Sequence, residues 1–286
     1  MASAPGGWTA RSTSARWAFT TLAAVPDYGL MAALTIPHGD LLLYDPKTGQ
    51  PRATVPGVPE EFGRHVSREI VAVDGKIYYA YTDGGETKEP GHMYVYDIES
   101  GRCSERPVDI DPNFWNGQLR TNHGKGMYLV NQPGELLRFH PEDASLERLG
   151  CVIPEAELRP MQDEAFQYAR PHVLGIALSA DDRRVYSIPI RKMTPKAAAS
   201  PDGSKPKGGG MQPIGLCEFD LETRVARRVA AMPLKFGNGY ITGSSIRDSR
   251  GDIYFVRHGG APGAYGLVKI TFGGTKTNDV SRRSEP

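Results

Sequence analysis

Cysteine is scarce in this chain: three occur in 286 residues, Cys103, Cys151 and Cys217, far apart and with no C-x-x-C pair. A dispersed, odd set excludes a disulfide framework and offers no zinc-ligand spacing, so the three read as reduced, buried thiols. An excess of charge of either sign is also missing, since Lys and Arg total 34 against 33 for Asp and Glu. That balance removes any general affinity for nucleic acid or acidic membranes and confines a charged site to a local patch. Long hydrophobic runs are absent as well; none reaches the roughly 18 residues needed to span a bilayer. Trp17 to Val25, behind Arg11 and Arg16, has the outline of a secretory signal, but Thr20 and Thr21 dilute it and it fits better as a strand. A cytoplasmic location is the default expectation, with secretion the alternative if a signal has been trimmed.

What is present is a repeat. Apolar and aromatic residues followed by an acidic turn recur as LLLYDPKTG from Leu41, MYVYDIESG from Met93, LLRFHPEDA from Leu136, LCEFDLETR from Leu216 and, more weakly, LVKITFGGT from Leu267. Each copy has an anchor, in turn Tyr44, Tyr96, Phe139, Phe219 and Ile270, so the intervals between anchors are 52, 43, 80 and 51 residues. Ahead of each copy lies a second tight turn: VPDYG from Val25, VDGK from Val73, NHGKG from Asn122, SADDRR from Ser179 and RDSRGD from Arg247. The strand after such a turn is rich in β-formers, as in KIYYAYT from Lys76 and DIYFV from Asp252. A polar fourth strand, such as RCSERP from Arg102, follows the first four anchor turns. Each unit therefore reads as four antiparallel strands, the form of one propeller blade.

The stretch GIALSADDRRVYSIPI from Gly175, with the outer turns DPKTG and DIESG, resembles a blade of the YVTN/WD40-like β-propeller superfamily. The resemblance spans nearly the whole chain and implies an all-β fold class: a β-propeller of four-stranded antiparallel blades, five of them visible. It lacks the repeated Trp-Asp dipeptide of true WD40 blades. A single domain over 1–286 is expected, with 192–212 a flexible basic insertion and 273–286 a flexible tail; either 1–16 or 273–286 would supply a ring-closing strand.

With strands lettered a to d in each blade, the a-b and c-d turns lie at one end and the b-c and d-a connections at the other. His123 and His140 fall in the tight turns, whereas His38, His65, His92, His172 and His258 fall at the opposite end. The long connections 83–92, 108–116, 151–173, 190–214 and 231–240 collect there too, and such loops on a rigid scaffold commonly carry function. His92, in the solvated stretch GETKEPGH, is the bystander of that group.

The candidate ligand-binding residues at this end are Arg64, Arg170, Arg257, Trp115, Asn116 and Asn238, since guanidinium forks suit carboxylates and phosphates. For chemistry the candidates are His65, His172, Tyr240 and His258. Two functions follow. The first is a binding module for a ligand, protein or peptide, with Phe114, Trp115 and Tyr168 as aromatic anchors. The alternative is an enzyme resembling propeller-fold polysaccharide lyases in residue types, acting on a uronate carbohydrate by β-elimination. There Arg64 or Arg257 would neutralise the carboxylate, His65 or His172 would act as base, and Tyr240 or His258 as acid. A glycosidase is disfavoured, because the innermost strands offer Glu69 alone and not a carboxylate pair. No cofactor is expected, though imidazoles from separate blades could gather a divalent metal. The partner expected is an acidic carbohydrate or a protein or peptide, with no nucleic acid or membrane partner, and the chain is expected to be a monomer.

Overall fold

The second strand of each repeat is apolar at consecutive positions, which requires burial on both faces. The computed structural model shows why. It describes residues 18–36, 39–56, 65–82, 92–107, 118–121, 127–131, 133–143, 145–162, 164, 166–196, 210–232, 239–259 and 266–272. The first sheet holds β1 (Ala18–Val25), β2 (Leu30–Ile36), β3 (Leu41–Asp45) and β4 (Gln50–Val55) in sequence order. The second holds β5 (His65–Val73), β6 (Lys76–Thr82), β7 (His92–Asp97) and β8 (Arg102–Pro107), and the third β9 (Gln118–Thr121), β10 (Met127–Val130), β11 (Glu135–His140) and β12 (Ser145–Cys151).

From there the chain departs from the simple repeat. It runs through β13 (Met161–Gln162), β14 (Phe166–Tyr168), β15 (Ile176–Leu178), β16 (Arg184–Ser187), β17 (Ile190–Pro195), β18 (Gly210–Pro213), β19 (Leu216–Asp220) and β20 (Ala226–Ala230). The fourth repeat is the sheet β15-β16-β19-β20, while β13-β14-β17-β18 form a separate small sheet. The fifth repeat shows β21 (Gly239–Arg247), β22 (Ile253–Gly259) and β23 (Gly266–Ile270), three strands among the described residues. All the pairings are antiparallel.

Each interface between successive repeats has its own core. Ile77 and Tyr79 of β6 pack toward the first sheet with Leu34, Leu41 and Leu43, while Tyr78 between them packs toward the third with Met127, Leu129 and Phe139. In β10, Met127 and Leu129 face back and Tyr128 and Val130 face forward, to Ile176, Val185 and Phe219. The period-2 alternation of a strand thus serves two cores at once. The anchors follow one rule: Tyr96, Phe139, Phe219 and Ile270 each join the cluster shared with the preceding sheet.

The innermost strands adjoin in series, β1 beside β5, β5 beside β9, β9 beside β15 and β15 beside β21. The series does not close into a ring among the described residues. No core cluster of the described residues joins the fifth sheet to the first, and Leu22 of β1 is 60% exposed. Both terminal segments expected to supply a closing strand, and the tail at 273–286, lie outside the described residues.

The anchor turns repeat one hydrogen-bonded design. The Oδ1 of Asp45 accepts from the N–H of Lys47 at 2.8 Å, that of Asp97 from Ser100 at 2.8 Å, and that of Asp220 from Thr223 at 2.8 Å. These amides hold all three carboxyls below the usual carboxylate range. Four residues after each aspartate the backbone turns left-handed, at Gly49 (φ 68°), Gly101 (φ 65°) and Arg224 (φ 58°). The first two are glycine as that conformation favours, and the Arg224 guanidinium instead ties the turn to Glu147 of the third sheet. Trp17 to Val25 is a strand from Ala18 onward, as its sequence suggests. Among the described residues no helix is long and apolar enough to cross a membrane.

Candidate functional site

The two ends of the sheets differ in construction. At one end lie the a-b and c-d turns; at the other the small extra sheet is built from continuations of the fourth repeat. β16 runs on through Ile188 and Pro189 into β17, and β18 runs through Ile214 and Gly215 into β19, with the Ile214 N–H bonded to the Pro189 carbonyl at 3.0 Å. Gly215 permits the kink: its φ is +144°, and a Cβ there would lie 2.5 Å from the carbonyl oxygen of Ala230. The extra sheet stands beside β21 at the end where the long connections gather.

This overturns part of the sequence reading. The connections 151–173 and 190–214, expected as loops, contain β13, β14, β17 and β18. Of the insertion expected to be flexible over 192–212, Lys192–Pro195 and Gly210–Gln212 are strand residues. The reason is pairing at a distance: Tyr168 stands opposite Met193 and Met193 opposite Gly210. Such pairing satisfies backbone groups that a loop would leave to solvent.

The extra sheet is clamped by a buried ion pair that sequence reasoning missed. Arg191 of β17, with its side chain 6% exposed, donates through Nη2 to the main-chain oxygen of Glu157 and to Glu157 Oε2 at 3.1 Å. The other carboxylate oxygen of Glu157 meets Arg228 Nη1 of β20 at 2.8 Å. Glu157 sits in a single 3-10 turn, Glu155–Glu157, so one carboxylate pins the 151–173 segment to two sheets. At the adjoining end of the third sheet, Glu135 pairs with Arg148 and accepts from Asn131 Nδ2 at 3.1 Å. Arg148, Arg191 and Arg228 are thus matched by carboxylates.

His172 lies where the innermost strand of the fourth repeat breaks between β14 and β15. Its N–H donates to the Ile190 carbonyl at 2.8 Å, and Ile190 returns a bond at 2.9 Å. Burial pushes its imidazole below the ordinary histidine value, so it is held neutral. Arg170, two residues earlier, is exposed, and Tyr168 is half-buried with its ring tilted against Phe166, centroids 6.4 Å apart.

The other candidates sort as follows. Tyr240 and His258 are register partners across β21 and β22, and Arg257 stands opposite the buried Ile241. His65 opens β5 opposite Thr82. For His65, Tyr240 and His258 the backbone alone is described, and Arg64, Phe114, Trp115, Asn116 and Asn238, with His38 and His123, lie outside the described residues. His92 opens β7, a strand residue and not part of the solvated stretch expected, with its Nδ1 against Glu105 Oε1. His65, His92, His172 and His258 all fall at the strand ends away from the tight turns. No group of three or more His, Cys, Asp or Glu able to hold a metal occurs among the described residues.

Of the three cysteines expected to be buried, Cys217 is and Cys103 is not. Cys217 is buried and its thiol is pushed up to about 12, chiefly by desolvation; Cys151 is half-buried and also raised. Cys103 is exposed on β8, not buried, because β8 is an outermost strand.

Three of the innermost strands carry a register shift, β1 between Phe19 and Thr21, β5 and β21. In β5, residues 67–69 stand opposite Ala80 alone, between the pairs Val66–Tyr81 and Ile70–Tyr79. In β21, residues 243–245 stand opposite Phe255 alone, between Thr242–Val256 and Ile246–Tyr254. By contrast β9 and β15 pair with their neighbours without a shift.

No protein-family profile matches the chain, and no curated protein does. Among solved structures it is similar to the extracellular domain of a protein from B. thetaiotaomicron described as a hybrid two component system, at 11% identity and TM-score 0.47, covering 91% of this chain and 28% of that one. A second structure of that extracellular domain, described as of a one component system, gives 13% identity and TM-score 0.44, with coverages of 88% and 32%. The tricorn protease follows at 12% identity and TM-score 0.36, with coverages of 80% and 23%. The chain spans less than a third of the length of the first two solved chains. Neither the structure nor these likenesses support the default cytoplasmic expectation.

Proposed function

We propose that the chain is a binding module of the β-propeller type that takes its ligand at the end bearing the long connections. The observation that carries this is the extra sheet. Strands of the fourth repeat continue past a kink at that end to build a clamped wall, which the repeat itself does not require. The opposite end has hydrogen-bonded turns of minimal length. The wall stands beside the innermost strand β21, at the end where the long connections gather. Phe166 and Tyr168 on β14 offer stacking area, and the exposed Arg170 offers a fork for an acidic group.

The eliminative reading has no comparable support. Of the base candidates His172 alone has a described side chain, and of the acid candidates Tyr240 and His258 the backbone alone is described.

The test is a titration of isotope-labelled protein with oligogalacturonate and with acidic and basic peptide pools, following the backbone amides. Binding at this face moves resonances of Arg170, His172, Gly239–Thr242 and Val256–Gly259 and leaves 45–49, 97–101, 220–224 and 247–252 in place. Movement confined to those turns overturns the proposal. An unsaturated product absorbing in the ultraviolet would restore the lyase.

A further inference from the structure

The extra sheet has an apolar face and a polar one. Register partners lie on the same face of a sheet. Met161 stands opposite Tyr168, Tyr168 opposite Met193, and Phe166 opposite Pro195. On the other face Gln162 stands opposite Gln167, Gln167 opposite Thr194, and Lys192 opposite Met211, with Gln162, Gln167, Lys192 and Thr194 all exposed. The polar side is therefore the solvated one. The apolar side is not used by the repeats: none of the four core clusters of described residues takes in Met161, Phe166, Tyr168 or Met193. Met161 is 50% exposed, and Phe166 and Tyr168 are half-buried.

A charge stands at the end of this row. The Ala169 N–H donates to the Lys192 carbonyl at 2.9 Å, so pairing continues past Tyr168, and the exposed Arg170 follows Phe166 and Tyr168 at the same two-residue step. Arg148, Arg191 and Arg228 each meet a carboxylate, whereas Arg170 makes no ion pair among the described residues. The amides beside it are spent: those of Ala169 and His172 bond to Lys192 and Ile190, and Pro171 has none. A main-chain terminal carboxylate is captured by a nest of amides; a lone guanidinium suits the carboxylate of a side chain.

The spacing matches an extended polypeptide. Alternate residues of a strand lie about 7 Å apart, and the Phe166 and Tyr168 rings repeat at that step, centroids 6.4 Å apart. Aromatic rings and an adaptable thioether fit apolar side chains. A sugar needs hydrogen-bonding groups around its hydroxyls, and beside these rows Gln162, Gln167 and Thr194 lie on the opposite face. Resting on the binding reading above, we propose that the apolar face of the extra sheet docks an extended segment of a partner protein, with apolar side chains at alternate positions on Met161, Phe166 and Tyr168 and an Asp or Glu side chain on Arg170.

The experiment titrates the full chain, by calorimetry and amide shifts, with a pool of capped pentapeptides Glu-Ser-Φ-Ser-Φ, where Φ is Leu, Met or Phe, and with the same peptides in reversed order. One of the two orders is expected to bind, and to bind about tenfold more tightly than its Gln-for-Glu counterpart. Arg170→Gln should bring the Glu and Gln pools level, while Met161→Ser, at an exposed position, weakens both. Thermal melting of each variant separates a lost contact from a lost fold. A glutamate preference that survives in Arg170→Gln, or an affinity unchanged in Met161→Ser, overturns the docking face. If neither order binds the wild-type chain, or a pool with its two apolar residues adjacent binds equally well, the extended-peptide assignment falls. Shifts of Arg170 and His172 with oligogalacturonate would then preserve the binding reading, and their absence would remove both.

Discussion

Removing the charge of Glu157 tests whether the extra sheet is held by a buried ion pair. In Glu157→Gln the Arg191 guanidinium, 6% exposed, loses its counter-charge while remaining inside. Leaving one partner of a buried pair uncompensated costs about 3–5 kcal/mol. The surviving main-chain acceptor on Glu157 and the Gln carbonyl favour the lower end, so a loss of about 3 kcal/mol is expected. Arg228 is different: its side chain is 49% exposed, so solvent screens the pair, and Arg228→Ala should cost at most about 1 kcal/mol. With a urea dependence of about 3 kcal/mol per molar, the Glu157 variant moves the denaturation midpoint by about 1 M and the Arg228 variant by about a third of that. Hydrogen exchange places the damage, with amides of β17 and β18 losing protection before those of β6 and β10. Equal midpoint shifts in the two variants, or a Glu157→Gln loss below about 1 kcal/mol, would refute the argument from burial.

Other outcomes follow from the same structure. Gly215→Ala should cost about 3 kcal/mol or more, since a Cβ at φ +144° meets a backbone oxygen at 2.5 Å that cannot yield; thermal unfolding measures it, and a near-neutral result would place the kink elsewhere. Among the three thiols, Cys103 should react quickly with a thiol reagent in the native protein, while Cys217, raised to about 12, reacts after unfolding; rapid modification of Cys217 in the folded state contradicts its burial. The turn carboxyls Asp45, Asp97 and Asp220 titrate below their unfolded values, and Asp248 does so at about 2. Their stabilisation is therefore complete above the unfolded carboxylate value of about 4 and disappears as pH falls through the folded values, which acid-unfolding curves of Asp→Asn variants will read as a flattened slope. His172, with its folded value lowered by burial, contributes the other way from a salt-bridged histidine. Stability is fully present above about pH 6.5 and declines as pH falls, so an imidazole midpoint at or above 6.5 by NMR contradicts the burial argument.

The sequence by itself determined the repeat, the four-strand order within it, the anchors and the end at which the histidines collect. These features are local. An aspartate carboxylate caps amides two or three residues away, a glycine or Arg224 takes the left-handed position four residues on, and alternation along one strand states that both faces are covered. Tyr96, Phe139, Phe219 and Ile270 were legible as anchors because each is the same position of the same local pattern, and each meets the preceding sheet. Tertiary structure alone decided the rest. The wall exists because Tyr168 pairs with Met193 and Met193 with Gly210 across intervals in which the sequence shows Pro, Gly and Lys. The bulges are properties of two paired strands, so neither β5 nor β21 displays one when read singly. Arg191 follows apolar Ile190 in an unremarkable strand, and its burial depends on Glu157, which the fold brings in from 34 residues away. Local hydrogen bonding and side-chain period are written along the chain; register between distant strands, and the charges it buries, are fixed only when the sheets assemble.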